Sequence, residues 1–211
     1  MTTTQPVMTS SHRIILFGGQ GSSSLFSAAT AHRIEDDVQR CAAGALLLSK
    51  CHAAFLEDCL SLDVESRRII DINMADFHGR RAFLIPKQSL HANPIIQATT
   101  ICLYQLLHYL VEVDRSSSNP KDLTDQILET TGICSGLLPA AVVAASKNVQ
   151  KFIHFGVAAF RLAFWIAFRS VRYGRFAVPT ARMGTPWSLA VIGLSRSELE
   201  ERLEKLEEEV S

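Results

Sequence analysis

Runs of aliphatic and β-branched residues predict strands at three places along the chain. Residues 13–17 form a short aliphatic run, and residues 187–194 form another. Residues 126–134 form a weaker one, because Glu129 and two threonines interrupt its apolar pattern. Longer segments with helical periodicity separate these runs, and such alternation favours an α/β fold.

The segment after the first strand predicts helices. Residues 24–60 are rich in Ala and Leu with intermittent charges, which indicates two helices broken near Gly44 or Ser49. A more polar helix is expected over residues 64–70. This part of the chain is predicted to be packing scaffold.

Capping residues set the bounds of the later helices. Asn93 is a typical N-cap and Pro94 suits the first helical position, while Gly174 is predicted to end the last long helix. These helices are predicted at 94–111, 137–146 and 148–173. Between the first two of them, Ser, Asn and Pro predict a surface loop at 114–121.

The C-terminal segment predicts one strand and one helix. After the strand at 187–194, Ser195 and Glu198 form a capping box, and the following helix has apolar residues along one face. An isolated strand-helix unit leaves both its surfaces uncovered. We therefore expect either a partner chain or further sequence to complete this unit.

Composition limits the function classes. The 211 residues contain 47% apolar residues and carry a formal net charge of zero, so neither nucleic acid nor an anionic membrane is expected as a partner. The chain has five cysteines and no C-x-x-C pair, which favours a reduced, cytoplasmic setting. Residues 1–12 are polar and lack the apolar core of a signal peptide, and we expect them to be disordered. The apolar run 152–168 is interrupted by His154 and Arg161 and is expected to be a buried helix.

The sequence Gly-Ile-Cys-Ser-Gly at 132–136 is the strongest chemical signal. Glycine on either side of Cys134 tolerates the crowded backbone of a sharp strand-to-helix turn, which displays a nucleophile beside backbone N–H groups. The helix predicted to begin near Leu137 would place its positive end there. This pattern favours acyl transfer through a cysteine.

A second glycine motif follows the first strand. Residues 18–22 read Gly-Gly-Gln-Gly-Ser, and their glycines allow the backbone to approach a ligand closely. With the helix start at Asn93 and the Cys134 turn, this loop resembles the acyltransferase superfamily. The cysteine, the Leu-Leu-Pro-Ala-Ala that follows at 137–141 and the segment 161–166 are similar to the starter-unit acyl-carrier-protein transacylase domain of fungal non-reducing polyketide synthases.

This resemblance implies a fold, a reaction and a set of site residues. The fold would be an acyltransferase-type large subdomain at 13–186, with a short parallel sheet and many helices, followed at 187–211 by the first unit of an incomplete ferredoxin-like subdomain. Cys134 would accept a starter acyl group from acyl-CoA or another carrier and pass it to the phosphopantetheine of an acyl carrier protein. Backbone N–H groups of Gln20 and Ser135 would form the oxyanion hole, and Gln97 would line the pocket. The resemblance implies no permanently bound cofactor. It does imply that the domain is fused to downstream synthase domains or is completed by another chain.

The resemblance also leaves a role unfilled. The family's general base is a histidine after the ferredoxin-like subdomain, so we expect it to be missing here and turnover from this chain to be weak. His154 lies among phenylalanines and is expected to be a core or groove residue. Arg161 and Arg169 do not match the family's carboxylate-binding arginine and are expected to be surface or interdomain charges, which favours an uncharged acyl group.

Three other interpretations remain open. Cys51, His52 and Cys59 could meet on one helix, but no second ligand pair follows them, so no metal site is expected. A class I glutamine amidotransferase also uses a cysteine between glycines, but it needs a later His-x-Glu pair. A non-catalytic interaction module, with the C-terminal helix as its docking surface, is the third possibility.

Overall fold

The computed structural model describes residues 13–19, 28–116, 127–177, 197, 198 and 201. Its regular elements are two strands, longer helices and three single 3₁₀ turns. The strands are β1 (Arg13–Phe17) and β2 (Ile127–Gly132). The helices are α1 (Ala28–Arg40), α2 (Ala42–Ser61), α3 (Val64–Ile70), α4 (Arg80–Leu84), α5 (Pro94–Ser116), α6 (Leu137–Ala145) and α7 (Val149–Ala177). The 3₁₀ turns are Met74–Phe77, Gln88–Leu90 and Cys134–Gly136.

The two strands form a short parallel sheet, so the α/β prediction is confirmed in a mostly helical form. Leu16 pairs with Thr131 and Phe17 with Gly132, which aligns the carboxyl ends of both strands. Connections that leave this edge carry the ligand-binding groups of many parallel sheets. Here they begin at Gly18 and at Ile133.

Cap chemistry decides where two helices start. Asn93 caps α5 as predicted, because its Oδ1 accepts hydrogen bonds from the backbone N–H groups of Ile95 and Ile96, at 3.0 and 3.4 Å. The predicted break near Gly44 or Ser49 is wrong. The break lies at Cys41, whose Sγ accepts from the N–H of Gly44 at 3.3 Å and so caps α2 in place of an oxygen.

Three helix or strand ends differ from prediction. Helix α5 continues to Ser116, five residues beyond the predicted end. Strand β2 stops at Gly132, before the Cys134 turn. Helix α7 passes through Gly174 to Ala177, because one interior glycine weakens a helix by only about 1 kcal/mol and does not by itself end it.

The core lies where α2, α5 and α7 meet. The ring of Phe55 on α2 lies 5.9 Å from that of Phe164 on α7, edge to face. Phe152 of α7 stacks on Tyr109 of α5 with ring centroids 5.2 Å apart. The four rings are almost fully buried, so apolar packing between these helices holds the scaffold behind the sheet.

Helix α7 also has the length and hydropathy of a membrane span. Residues Val149–Gly174 satisfy that criterion, and 50% of the most apolar window is buried within the protein. Core helices of water-soluble proteins satisfy the same test. Length and composition alone therefore do not make α7 a membrane helix.

The chain divides into two compact units, Met1–Gly174 and Arg175–Ser211. Within the second, residues 197, 198 and 201 are helical, inside the predicted C-terminal helix. The predicted strand at 187–194 and the disordered lead at 1–12 lie outside the described residues. The domain boundaries at 12 and 186 stay predictions.

Candidate active site

Cys134 stands at a sharp turn between β2 and α6. Its backbone has φ 55°, one of two positive values for non-glycine residues in the described part of the chain. The turn is closed by a 3.0 Å hydrogen bond from the Gly136 N–H to the Ile133 carbonyl. A left-handed residue between a strand and a helix is the geometry of a nucleophile elbow.

Exposure separates Cys134 from the other cysteines. It is exposed, whereas Cys41, Cys51, Cys59 and Cys102 are buried. Burial raises the pKa of Cys59 and of Cys102 to about 12, and it raises that of Cys51 well above its ordinary value. Cys51, Cys59 and Cys102 therefore stay protonated at neutral pH, and Cys134 is the one exposed cysteine.

The flanking glycines are required by close backbone approach. A Cβ added to Gly136 would lie 2.3 Å from the Phe17 carbonyl oxygen, and one added to Gly132 would lie 2.1 Å from the Gly136 carbonyl oxygen. Both distances are far below van der Waals contact. The two glycines thus let the turn fold back against the end of β1.

The loop after β1 touches Cys134. A Cβ built on Gly19 would lie 2.9 Å from Cys134 Cβ, and the Ile133 N–H donates to the Phe17 carbonyl at 3.0 Å. The start of the glycine loop and the cysteine turn, 115 positions apart in the sequence, therefore form one site. Gln20, predicted to supply an oxyanion N–H, lies outside the described residues.

Ser135 follows the nucleophile directly, as the predicted oxyanion role requires. Its backbone N–H makes no hydrogen bond to any described residue, whereas the next two N–H groups bond to Ile133 and Cys134. Its Oγ is buried and also has no partner there. The oxyanion role of this N–H stays a prediction.

Gln97 is held by its own end of α5. Its Nε2 donates to the His91 carbonyl at 2.6 Å. Gln105, two turns later on the same helix, reaches the glycine loop instead, with its Nε2 2.7 Å from the Gly18 carbonyl oxygen. Eight residues of helix separate the two amides by about 12 Å along the axis, so they serve different parts of the structure. The pocket role of Gln97 stays a prediction.

Sequence reasoning missed Gln105. It lies in an apolar stretch of α5 and is 8% exposed. The one signal was a polar residue at a buried helical position, since buried amides are nearly always hydrogen-bonded.

No described histidine hydrogen-bonds to Cys134. The expectation that His154 belongs to a core or groove is wrong, because His154 is exposed. Phe152 and Gly156 are buried on α7. His154 is two positions from each of them and so lies on the opposite side of the helix.

Arg161 is a helix-surface charge, as predicted, because 42% of its side chain is exposed. Its guanidinium lies 2.5 Å from the buried Asp58 carboxylate and 3.0 Å from that of Glu57, both on α2. The hydrogen bond to Asp58 is the main cause that raises the pKa of Arg161. Arg169 is exposed, as predicted for a surface charge.

The possible metal ligands on α2 have other roles. Nε2 of His52 lies 2.8 Å from the Phe77 carbonyl oxygen, and its ring packs on Phe83. Within the described ranges, no three His, Cys, Asp or Glu residues are grouped to hold a metal ion.

Comparison with known proteins identifies the family of this chain. A family model described as "Starter unit:ACP transacylase in aflatoxin biosynthesis" matches residues 15–211. The match includes the glycine loop, α5 and the Cys134 turn. It therefore covers every part of the candidate site.

Individual relatives are long fungal synthases. The chain is 32% identical over 200 residues to orsellinic acid synthase ArmB of Armillaria ostoyae, which is 90% of this chain and 9% of the synthase. It is 32% identical over 168 residues to an orsellinic acid synthase of Beauveria bassiana (strain ARSEF 2860), 75% of this chain and 7% of that protein. It is 28% identical over 113 residues to non-reducing polyketide synthase 1 of Elsinoe fawcettii, 53% of this chain and 5% of that one. The chain thus spans less than a tenth of the length of these relatives.

Proposed function

Since this chain belongs to the starter unit:ACP transacylase family, we propose that it transfers a starter acyl group to an acyl carrier protein through a thioester on Cys134. One observation carries the proposal. The exposed cysteine has a left-handed backbone at a strand-to-helix turn and lies against the first glycine loop.

The reaction is an exchange of thioesters. The Cys134 sulfur, after its proton is lost, attacks the carbonyl carbon of an acyl-CoA and forms a new C–S bond. The tetrahedral oxyanion then collapses, the bond to the CoA sulfur breaks, and the leaving thiolate takes up a proton. In the second half, the phosphopantetheine thiol of the carrier protein attacks the Cys134 thioester in the same way, and because one thioester replaces another, each half is nearly balanced in energy.

Backbone amides are the stabilising groups in this scheme. The Ser135 N–H, which has no described acceptor, would receive the negative charge of the attacked carbonyl, together with the N–H of Gln20. Gln97 would line the acyl pocket. Removing one such donor typically slows a reaction by about 10² to 10³.

An uncharged starter suits the charges of the described residues. Arg161, which does not match the family's carboxylate-binding arginine, is paired with Asp58 and Glu57. Two exposed apolar residues lie close to Cys134 in the sequence, Ile133 at 62% and Leu137 at 60% exposure. These would border the channel that receives the acyl chain and the phosphopantetheine arm.

The fold and the partners follow from the same membership. Residues 13–186 would form an acyltransferase-type large subdomain, and residues 187–211 the first unit of a ferredoxin-like subdomain. The parallel pairing of β1 with β2, with both loops at one sheet edge, supports this assignment. The length of the relatives supports fusion to downstream polyketide synthase domains.

Mass spectrometry of acyl-CoA-treated protein tests the proposal. Saturated acyl-CoAs of increasing chain length should give a single acyl adduct that maps to Cys134 and is released by neutral hydroxylamine, as a thioester is. Cys134→Ala should give none, while Cys102→Ala, which removes a buried thiol, should be acylated like the unchanged protein. An adduct on another residue, or none while iodoacetamide still alkylates Cys134, would leave a binding module as the better description.

A further inference from the structure

Gln105 links helix α5 to the site, and we propose that it is a positioning residue for acylation of Cys134. The inference rests on the proposed function and extends it to a residue outside the predicted site. The Gln105 amide is buried and donates to the Gly18 carbonyl at 2.7 Å, although the two residues lie 87 positions apart. This bond ties the loop after β1 to the central helix.

The bonded carbonyl lies at the contact between the two loops. A Cβ added to Gly136 would lie 2.7 Å from the Gly18 oxygen, and the next residue, Gly19, is packed against the Cβ of Cys134. The Gly18 peptide is therefore held between Gln105 on one side and the nucleophile turn on the other. A shift of this peptide would alter the distance between the loop and the sulfur.

The Gln105 oxygen, which makes no hydrogen bond to a described residue, also supports the positioning role. Gln105 Oε1 is buried and has no hydrogen-bond partner among the described residues. A buried acceptor without a partner destabilises the folded state, and methionine or leucine at this position would avoid that cost. Packing alone thus favours an apolar side chain, and the property that glutamine adds is the N–H group directed at Gly18.

Positioning can be separated from exposure by comparing two reactions of the same sulfur. Attack on a thioester creates an oxyanion that needs correctly placed backbone amides. Alkylation by iodoacetamide forms a C–S bond and releases iodide without an oxyanion. Loss of the Gln105 bond should therefore slow acylation and leave alkylation unchanged.

The experiment measures both rates on the unchanged protein, on Gln105→Met and on Tyr104→Phe. Tyr104 is the matched control, because its hydroxyl also donates from buried α5 to a backbone carbonyl, that of Leu84 at 2.6 Å. We expect Gln105→Met to be acylated by acyl-CoA about 10-fold to 100-fold more slowly, with alkylation within about 2-fold, as for a small misplacement of reacting groups. Tyr104→Phe should keep both rates.

Each other outcome is decisive. Equal loss of both rates in Gln105→Met, or no loss of acylation, overturns the positioning role. If the unchanged protein is alkylated but never acylated, the proposed function itself is wrong and the role of Gln105 falls with it. Should Gln105→Met fail to fold by circular dichroism, Gln105→Leu also removes the donor and fills less volume, and it should show the same selective loss.

Discussion

The backbone conformation that exposes the Cys134 thiol also destabilises the folded protein. Its left-handed backbone displays the thiol, but a side chain in that conformation costs roughly 1–2 kcal/mol relative to a right-handed one. The neighbouring glycines remove steric conflict around the turn and not the strain at the cysteine itself. The site therefore holds its nucleophile at some expense of stability.

Replacing the cysteine tests this strain. Cys134→Gly should be more stable than Cys134→Ala by about 1 kcal/mol, because glycine adopts positive φ freely and alanine does not. Urea denaturation of the two variants measures the difference, and both lack the thiol, so chemistry plays no part. Equal midpoints, or a more stable alanine variant, would mean that the turn is not strained at this position.

Single residues were predicted to different degrees. The turn at Cys134 and the cap at Asn93 could be read from the sequence because glycine pairs and Asn-Pro act through local backbone geometry. Gln105 could not, since its partner Gly18 lies in a loop 87 positions away. His154 was misplaced because the buried Phe152 lies on the opposite side of α7, while the neighbour that its ring contacts, Phe155, is only half-buried.

At the scale of elements, an ion pair joins α2 to α7. Arg161 contacts two adjacent carboxylates whose exposure differs greatly, 1% for the Asp58 side chain and 70% for that of Glu57. Asp58 Oδ2 has no further partner among the described residues. The arginine thus compensates a buried charge on one side and makes a solvated pair on the other.

Removing that compensation should destabilise the helix pair. We expect Arg161→Met to lower the free energy of unfolding by about 3 kcal/mol, because it leaves the Asp58 carboxylate buried and unpaired. Adding Asp58→Asn should recover at least about 1 kcal/mol, since it removes the buried charge. Adding Glu57→Gln is the control and should recover almost nothing. Denaturant unfolding of the three variants decides, and equal recovery from both additions would contradict this account.

The sequence predicted most of the helices and strands, but it did not predict all of their ends. Strand β1 and helix α3 match their predicted residues, because local pattern defines them. The break between α1 and α2 was misplaced, since a thiol rarely caps a helix and Gly44 appeared the stronger signal. Helix α7 extends past Gly174 because a glycine ends a helix only when the following backbone turns away.

At the scale of the whole molecule, the core buries several ionisable groups in neutral form. Burial raises the pKa of Cys59, Cys102, Tyr104 and Tyr109 to about 12 in each case. An unfolded thiol ionises near 9.0, the ordinary value for cysteine. The unfolded chain therefore loses these protons first as pH rises.

Stability should accordingly fall in alkali. Because the folded pKa values are raised, the contribution of the buried thiols is complete below about pH 9 and is lost progressively toward pH 12. Urea midpoints measured at pH 8, 9 and 10 should decrease, and Cys102→Ala should decrease less steeply than the unchanged protein. Identical slopes for the two proteins would show that Cys102 ionises as easily folded as unfolded.

The family could be recognised from three short motifs, of which the fold brings the start of the glycine loop and the Cys134 turn to one sheet edge. The most direct test is a single-turnover chase, in which protein carrying a labelled acyl group is mixed with a phosphopantetheine-bearing acyl carrier protein. We predict that the label leaves Cys134 at the rate at which it appears on the carrier thiol, and that Cys134→Ala transfers none from acyl-CoA. Label that reaches the carrier equally fast with Cys134→Ala would contradict the assignment of Cys134 as the acyl-carrying nucleophile.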